Sequence, residues 1–507
     1  MNEKNSIAKN TLFLYFRMIC IMCVTLYTSR VILNALGTND YGIYQTVGGI
    51  VGVVSFLKNA LATGSSRFLT FELGRDDLKK LKTMFSTLLM VHVLLGVIIV
   101  IIGEPLGIWY IDTKLNIPEK QILAAKIIYQ FSLLTTFFSI TQVPYSAVII
   151  AHENLKIYAY VSMIEAMLKL LIAFAVIVSP INRLIFYSML LCISQILICM
   201  IYRIYCQRRY LESRFSYKII NCKILTEVFK FSGWSLFASV SGSLIQNGTV
   251  ILLTTFFSPT LAASRSIADQ VSNNVNQFIN NFRTASEPQI VKRYATEDYE
   301  GSRQLLLKST CISFYLLLFI SIPVILLAEP LMHLWLGEVP ELVVPFVQWT
   351  MIQGLIGVFD SSFYVPLYAS GRLKENALLA PVIDFLCFFG VYICFKKGSS
   401  PLAVCYIYVI MTFVQGLIEK PILICYIAGY KLREILYVFW KCFIVTIISV
   451  PLPWYLAQKC DVNHFINFIF VGMVSCLTIL TTVWSVGIDS NDRRRISSCI
   501  RNRIKHK

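Results

Sequence analysis

Apolar stretches of about twenty residues or more recur along the whole chain, separated by short polar breaks, and this rhythm predicts helices that cross a membrane. The alternating short segments of a β-barrel are absent. The predicted spans lie near 10–35, 41–63, 82–103, 121–150, 157–179, 183–203, 231–256, 261–285, 306–328, 342–369, 376–395, 401–428, 435–457 and 463–487. The fold class expected is therefore an all-α polytopic membrane protein of about 14 helices, with both termini on one side. The first apolar run is too long for a signal peptide, and Leu33 to Gly37 is a poor cleavage site, so it reads as a retained span.

Composition narrows this picture. At 507 residues, 56% hydrophobic and 14% charged, the chain is too apolar for a soluble fold. Most of its Lys and Arg residues fall in the tails and loops on the side of the termini, which places both termini in the cytoplasm. The net charge of +17 then follows from topology and anionic-lipid contact, and no nucleic-acid partner is expected. The cysteines sit mostly in apolar spans as small hydrophobes, and the scattered histidines show no metal-ligand spacing. No metal or other cofactor is expected.

The halves resemble each other at an offset of about 220 residues. Glu104-Pro105-Leu106 with Trp109 matches Glu329-Pro330-Leu331 with Trp335, while Pro118-Glu119 matches Pro340-Glu341 and Val143-Pro144 matches Val365-Pro366. Leu155-Lys156 then parallels Leu373-Lys374, and Glu165 parallels Asp384. A six-helix lobe copied once keeps its orientation and leaves a central cleft that rocking opens to alternate sides. The expected division is a lobe over 1–221, a second over 222–430, two added helices over 431–489 and a basic tail over 490–507.

Several cations lie inside apolar spans: Arg17, Arg30, Lys58, Lys126, Lys169, Arg265, Arg283 and Lys420. A charge at the bilayer centre costs roughly 3 kcal/mol, so each needs a wet cavity, an acidic partner or a route to the interface. Lys126 and Lys420 are close enough to span ends to snorkel, and Lys169 has Glu165 one turn away. Arg17, Lys58, Arg265, Arg30 and Arg283 remain as a two-level cationic lining. In the eighth span Arg265, Asp269, Ser272, Asn276 and Arg283 share an arc, with Val271, Val275, Phe278 and Phe282 opposite, facing lipid. Gln246 in the seventh span and Asn59 in the second extend the polar lining. Asp360, in line with Gln353 and Tyr364, and Glu419, in line with Tyr408, Thr412 and Gln415, are candidates for a coupling cation; interhelical hydrogen bonding is the competing reading.

Ser29-Arg30-Val31-Ile32-Leu33-Asn34-Ala35-Leu36-Gly37, followed by Asp40-Tyr41-Gly42-Ile43-Tyr44 at the first hairpin, resembles the multidrug/oligosaccharidyl-lipid/polysaccharide exporter superfamily, in particular its Wzx-type flippases. The resemblance covers the whole chain and implies a non-enzymatic flippase in the bacterial inner membrane. Its substrate would be an undecaprenyl-pyrophosphate-linked oligosaccharide destined for O-antigen, capsule or exopolysaccharide. Membrane lipids, a polysaccharide polymerase and chain-length machinery are the partners implied. Resemblance to the lipid II flippases assigns cavity cations to Arg17, Arg265 and Lys58, where Lys58 replaces an arginine and loses its bidentate grip. It also implies a groove for the polyprenyl tail at spans thirteen and fourteen. A cation-coupled multidrug exporter of the same fold is the alternative; its substrates are usually cationic, which the cationic lining disfavours. A membrane polymerase or glycosyltransferase would want a large aqueous loop, and the longest here, about 203–230, carries no DxD pair.

Overall fold

The computed structural model describes residues 3–53, 55–75, 77–152, 154–216, 239–372, 374–494 and 497–498. Side chains are described from Ile19 onward, apart from those at 55, 59, 60, 63, 155, 284, 285, 288 and 374. Among these residues the regular structure is entirely helical. The helices are α1 (Glu3–Leu36), α2 (Thr38–Gly52), α3 (Ser55–Gly74), α4 (Leu78–Thr113), α5 (Glu119–Ala151), α6 (Leu155–Ile177), α7 (Arg183–Arg209), α8 (Thr249–Phe256) and α9 (Pro259–Ala295). They continue with α10 (Tyr299–Leu326), α11 (Ala328–Leu336), α12 (Val343–Ser370), α13 (Lys374–Lys396), α14 (Ala403–Phe413), α15 (Lys420–Ala428), α16 (Leu432–Ser449), α17 (Pro451–Lys459) and α18 (Phe465–Thr482).

Eleven helical segments among the described residues are long and apolar enough to cross a membrane. The three expected spans outside that set are the second, seventh and eighth, which carry most of the polar positions. The span expected over 41–63 is represented by α2 and α3, on either side of residue 54, which lies outside the described residues. Gly48, Gly49 and Gly52 crowd the end of α2, and glycine is a poor helix former because it loses the most backbone entropy on ordering. The seventh begins outside the described residues and continues from residue 239 through a π-helical turn, Leu244–Gly248, into α8. The eighth, α9, runs ten residues past its expected end at 285.

Local chemistry explains the helix ends. Gly37, at φ +82°, separates α1 from α2 with a single residue, and its N–H donates to Leu33 O at 2.8 Å. Asp77 caps α4 by accepting from the N–H groups of Lys79 and Lys80, both at 3.1 Å. The Lys80 N–H bond, followed by the Lys80 side chain, holds the Asp77 carboxyl below the usual carboxylate range. Asn182 caps α7 in the same manner. Pro144 in α5 and Pro366 in α12, paired in the expected duplication, each lie inside a helix and lack the N–H that would bond the carbonyl one turn earlier.

By packing, the chain divides into two compact units, one comprising Met1–Ser266 with Ala380–Pro401 and the other Ile267–Leu379 with Leu402–Lys507. The expected lobe boundary at 221/222 lies outside the described residues. In the first unit α5 is the central post, against which α3, α4 and α7 lie. Gly107 leaves room for the Tyr129 ring, whose hydroxyl donates to Gly103 O at 2.6 Å. Small residues at such places allow the close approach that holds helices together where lipid removes the hydrophobic drive. In the second unit α10, α12, α15, α16 and α18 share one core, with Phe359 stacked on Phe314 at 5.4 Å and edge-on to Phe439 at 4.9 Å.

Candidate functional site

Lys58 stands at the start of α3, and its ammonium donates to Ser139 Oγ on α5 at 2.6 Å. The side chain is half-buried, and this polar contact is a hydroxyl, which solvates the charge without cancelling it. Glu165 and Lys169 on α6 are within electrostatic range, and they pair with each other at 2.7 Å as their spacing predicts. Arg17 is on α1, but its side chain lies outside the described residues, as does that of Asn59 on α3. Arg30 is on an exposed position of α1, and Gln246 is exposed in the π turn before α8.

Arg265, 5% exposed, is among the tightly packed residues Leu261 to Ala268 at the start of α9. It closes the first unit, while Asp269, Asn276 and Arg283 belong to the second. Asn276 Nδ2 donates to Ser272 Oγ at 3.3 Å. Arg283, 11% exposed, pairs with Glu287 at 2.8 Å and donates to the carbonyl of Ser361. The apolar face of α9 departs from the lipid-facing expectation: Val275 packs on the core of the second unit, and Phe282 lines a cavity of about 780 Å³ with Ile312, Tyr315 and Val438. Protein, not only lipid, covers that face because α10 and α16 carry matching apolar side chains.

A second polar cluster joins α12 to α15. Lys420 is 3% exposed and approaches Asp360 Oδ1 at 3.0 Å and Glu419 Oε2 at 3.5 Å. The expected snorkelling of Lys420 is thus corrected: its ammonium is buried against carboxylates. Lys126 instead pairs with Asp112 at 2.8 Å in a half-open setting. A π-helical turn, Val414–Glu419, delivers Glu419 and Lys420 to the cluster, and Gly416 lets that turn approach the backbone of Asp360 and Ile356. Asp360 and Glu419 are therefore brought together through Lys420, with Arg283 beside them at Ser361.

Sequence reasoning did not single out the seam between α2 and the seventh span. Thr46 and Thr254, both fully buried, bond hydroxyl to hydroxyl at 2.5 Å. Thr46 donates to Gly42 O, so Thr254 donates to Thr46. Gly42 faces the Pro259 carbonyl, Gly52 faces the Asn247 amide, and a methyl group at either place would collide. Tyr110 meets Thr255 at 2.9 Å, and Asn116 Nδ2 donates to Phe257 O at 2.6 Å. At its centre the seam is made of small residues of α2 against the segment from Asn247 to Pro259. The glycine pattern was the visible signal, and its partner segment was not.

The helical fold is shared with solved structures of membrane transporters. Among solved structures it is similar to the lipid II flippase MurJ in an inward closed conformation, at a TM-score of 0.71 and 10% identity over 93% of this chain and 98% of that one. It is also similar to an inward-facing multidrug resistance MATE family transporter, at 0.68 and 13% identity over 83% and 99%. A transporter of the same superfamily from Pyrococcus furiosus matches at 0.59 and 13% identity over 84% and 95%. No protein-family profile matches the chain, and no curated protein matches its sequence.

Proposed function

We propose that this chain is a flippase that moves a polyprenyl-pyrophosphate-linked oligosaccharide across a bacterial inner membrane by alternating access, for O-antigen, capsule or exopolysaccharide assembly. The observation that carries the reading is Lys58, a half-buried ammonium that donates to a serine hydroxyl. Such a group retains its attraction for a phosphate, and a pyrophosphate supplies oxygens for several cations. The sequence reading adds Arg17, Arg30 and Arg265 as further cations, with Arg283 engaged by Glu287, and Gln246, Asn276, Asp269 and Asn59 as polar groups suited to a hydroxyl-rich glycan. The likeness in fold to a lipid II flippase supports the lipid-linked substrate class. The Thr46–Thr254 seam suits a gate because it is held by short polar contacts between small residues.

Charge bias among the loops supports cytoplasmic termini, and periplasmic delivery would hand the unit to a polymerase with its chain-length machinery. The test replaces Lys58, Arg265 or Arg17 by alanine and measures surface polysaccharide beside membrane protein abundance. Loss of polysaccharide at unchanged abundance is expected; full polysaccharide in all three sinks the cationic-cavity reading. The likeness to MATE transporters keeps drug export as the second reading, and raised drug susceptibility on deletion, with intact polysaccharide, would favour it.

A further inference from the structure

We infer that the C-terminal end of α7 carries a binding site for one anionic phospholipid, its phosphate held by Arg203, Arg208 and Arg214 and an acyl chain laid along the helix. α7 is among the helices long and apolar enough to cross a membrane, and Arg203 and Arg208 stand in its last two turns. They border a groove of about 610 Å³ together with Ile204, Gln207, Arg214 and Phe215. Ile193, Leu197, Met200 and Ile204 follow one another at helical spacing, so they form a single stripe, and each is between 45% and 53% exposed. That stripe faces lipid. Ile204 belongs both to it and to the groove, so the acyl track ends at the arginines.

Arginines at the end of a span often reach the interface as separate, solvated groups. Arg214 is placed differently. It lies beyond the helix, and a short 3-10 turn, Leu211–Ser213, brings it back until its Nε donates to Gln207 O at 3.5 Å. The turn is fastened to the first unit. Glu212, buried, meets His152 Nε2 at 2.6 Å, Tyr210 stacks on the same imidazole at 4.2 Å, and Ser213 Oγ donates to Tyr210 O at 2.8 Å. Just past the groove the Ser216 N–H donates to Ser86 Oγ on α4 at 3.2 Å. This fastening also sets the electrostatics. Glu212 is turned inward to His152, and among the described residues no carboxylate lies within ion-pair distance of the three arginines.

Three guanidiniums without acidic partners keep their attraction for anions, and a phosphodiester offers a pair of oxygens to the planar fork of each. A free phosphate would use only that half of the site. The stripe on α7 and the exposed Phe215 ring beside the arginines suit a ligand with a chain attached. A zwitterionic head brings its own ammonium, which the arginines repel, so the net-anionic head is favoured. The reading needs only that α7 spans a bilayer, and no particular transported substrate.

The test is native mass spectrometry of the full-length protein in detergent, titrated with dioleoyl phosphatidylglycerol or with dioleoyl phosphatidylethanolamine, which differ in the head alone. The first phosphatidylglycerol should bind at least about tenfold more tightly than the first phosphatidylethanolamine. The triple substitution Arg203→Gln, Arg208→Gln and Arg214→Gln should bring the two lipids within about twofold of each other. Removing three exposed cations at other helix ends, by Lys79→Gln, Lys292→Gln and Lys431→Gln, should leave the preference in place. Glycerol phosphate at the concentration of the lipid should not displace it. Equal binding of both lipids by the wild type, a preference that survives the arginine triple, or its equal loss in the lysine triple overturns the inference, and displacement by glycerol phosphate overturns the lipid as occupant. The wild-type comparison and the competition decide the matter even where the arginine triple fails to fold.

Discussion

Lys58 in the first unit, half-buried, and Lys420 in the second, fully buried, are both lysines inside helices of a membrane protein, yet their surroundings are opposite. Lys58 is met by a serine hydroxyl, and Lys420 by Asp360 and Glu419. A hydroxyl stabilises an ammonium through one dipole and leaves its long-range field; a carboxylate removes that field. Burial alone therefore does not identify a cation that can bind an anionic substrate. The partner decides: a hydroxyl leaves the cation open to an anionic ligand, and a carboxylate neutralises it.

The largest effect should follow from taking away one side of the Lys420 cluster. Asp360→Ala leaves a sealed ammonium with only Glu419 at hand and should cost about 3 kcal/mol of stability, read by thermal unfolding in detergent. Stability within about 1 kcal/mol of wild type would mean that water already shares the site, and the contrast with Lys58 would collapse. Next, Lys58→Ala should reduce glycan transport at least about tenfold, equivalent to about 1.4 kcal/mol of lost interaction, while unfolding stays near wild type. Lys58→Arg should recover part of the transport; recovery by Lys58→Gln as well would show that the charge is irrelevant.

The seam gives a mid-sized test that touches neither lysine. Gly42→Ala places a methyl group against the Pro259 carbonyl and should cost about 1–3 kcal/mol, with faster cysteine labelling at Thr46→Cys in the same background. Unchanged labelling would argue that the seam does not open. The smallest effect belongs to Lys169→Ala. Its half-exposed pair with Glu165 is worth only about 0.5 kcal/mol, so both stability and transport should hold. A transport defect there would place Lys169 in the path with Lys58 and widen the cationic lining.

Much of the architecture was legible in the residue pattern. Long apolar runs announce membrane helices because the bilayer demands continuous internal hydrogen bonding, and eleven helices answer to it among the described residues. The paired prolines Pro144 and Pro366 were equally visible and fall inside corresponding helices. The Lys169–Glu165 pair was readable because helical spacing alone brings the two side chains together. The apolar face of the eighth span misled: it read as lipid-facing, whereas Val275 packs on the core of the second unit. Lys420 misled for another reason, since distance to a span end says nothing about what packs over that end.

Sequence by itself thus determined the membrane class and the i,i+4 relations within each helix, because these depend on local composition and on helical period. Tertiary structure decided what crosses between helices: Ser139 under Lys58, Asp360 over Lys420, and Thr254 against Thr46. Those partners are 81, 60 and 208 residues apart, and no periodicity links such distances. The three π turns at 244–248, 414–419 and 483–487 belong to the same class, since each shifts helical phase under packing that the local sequence does not contain.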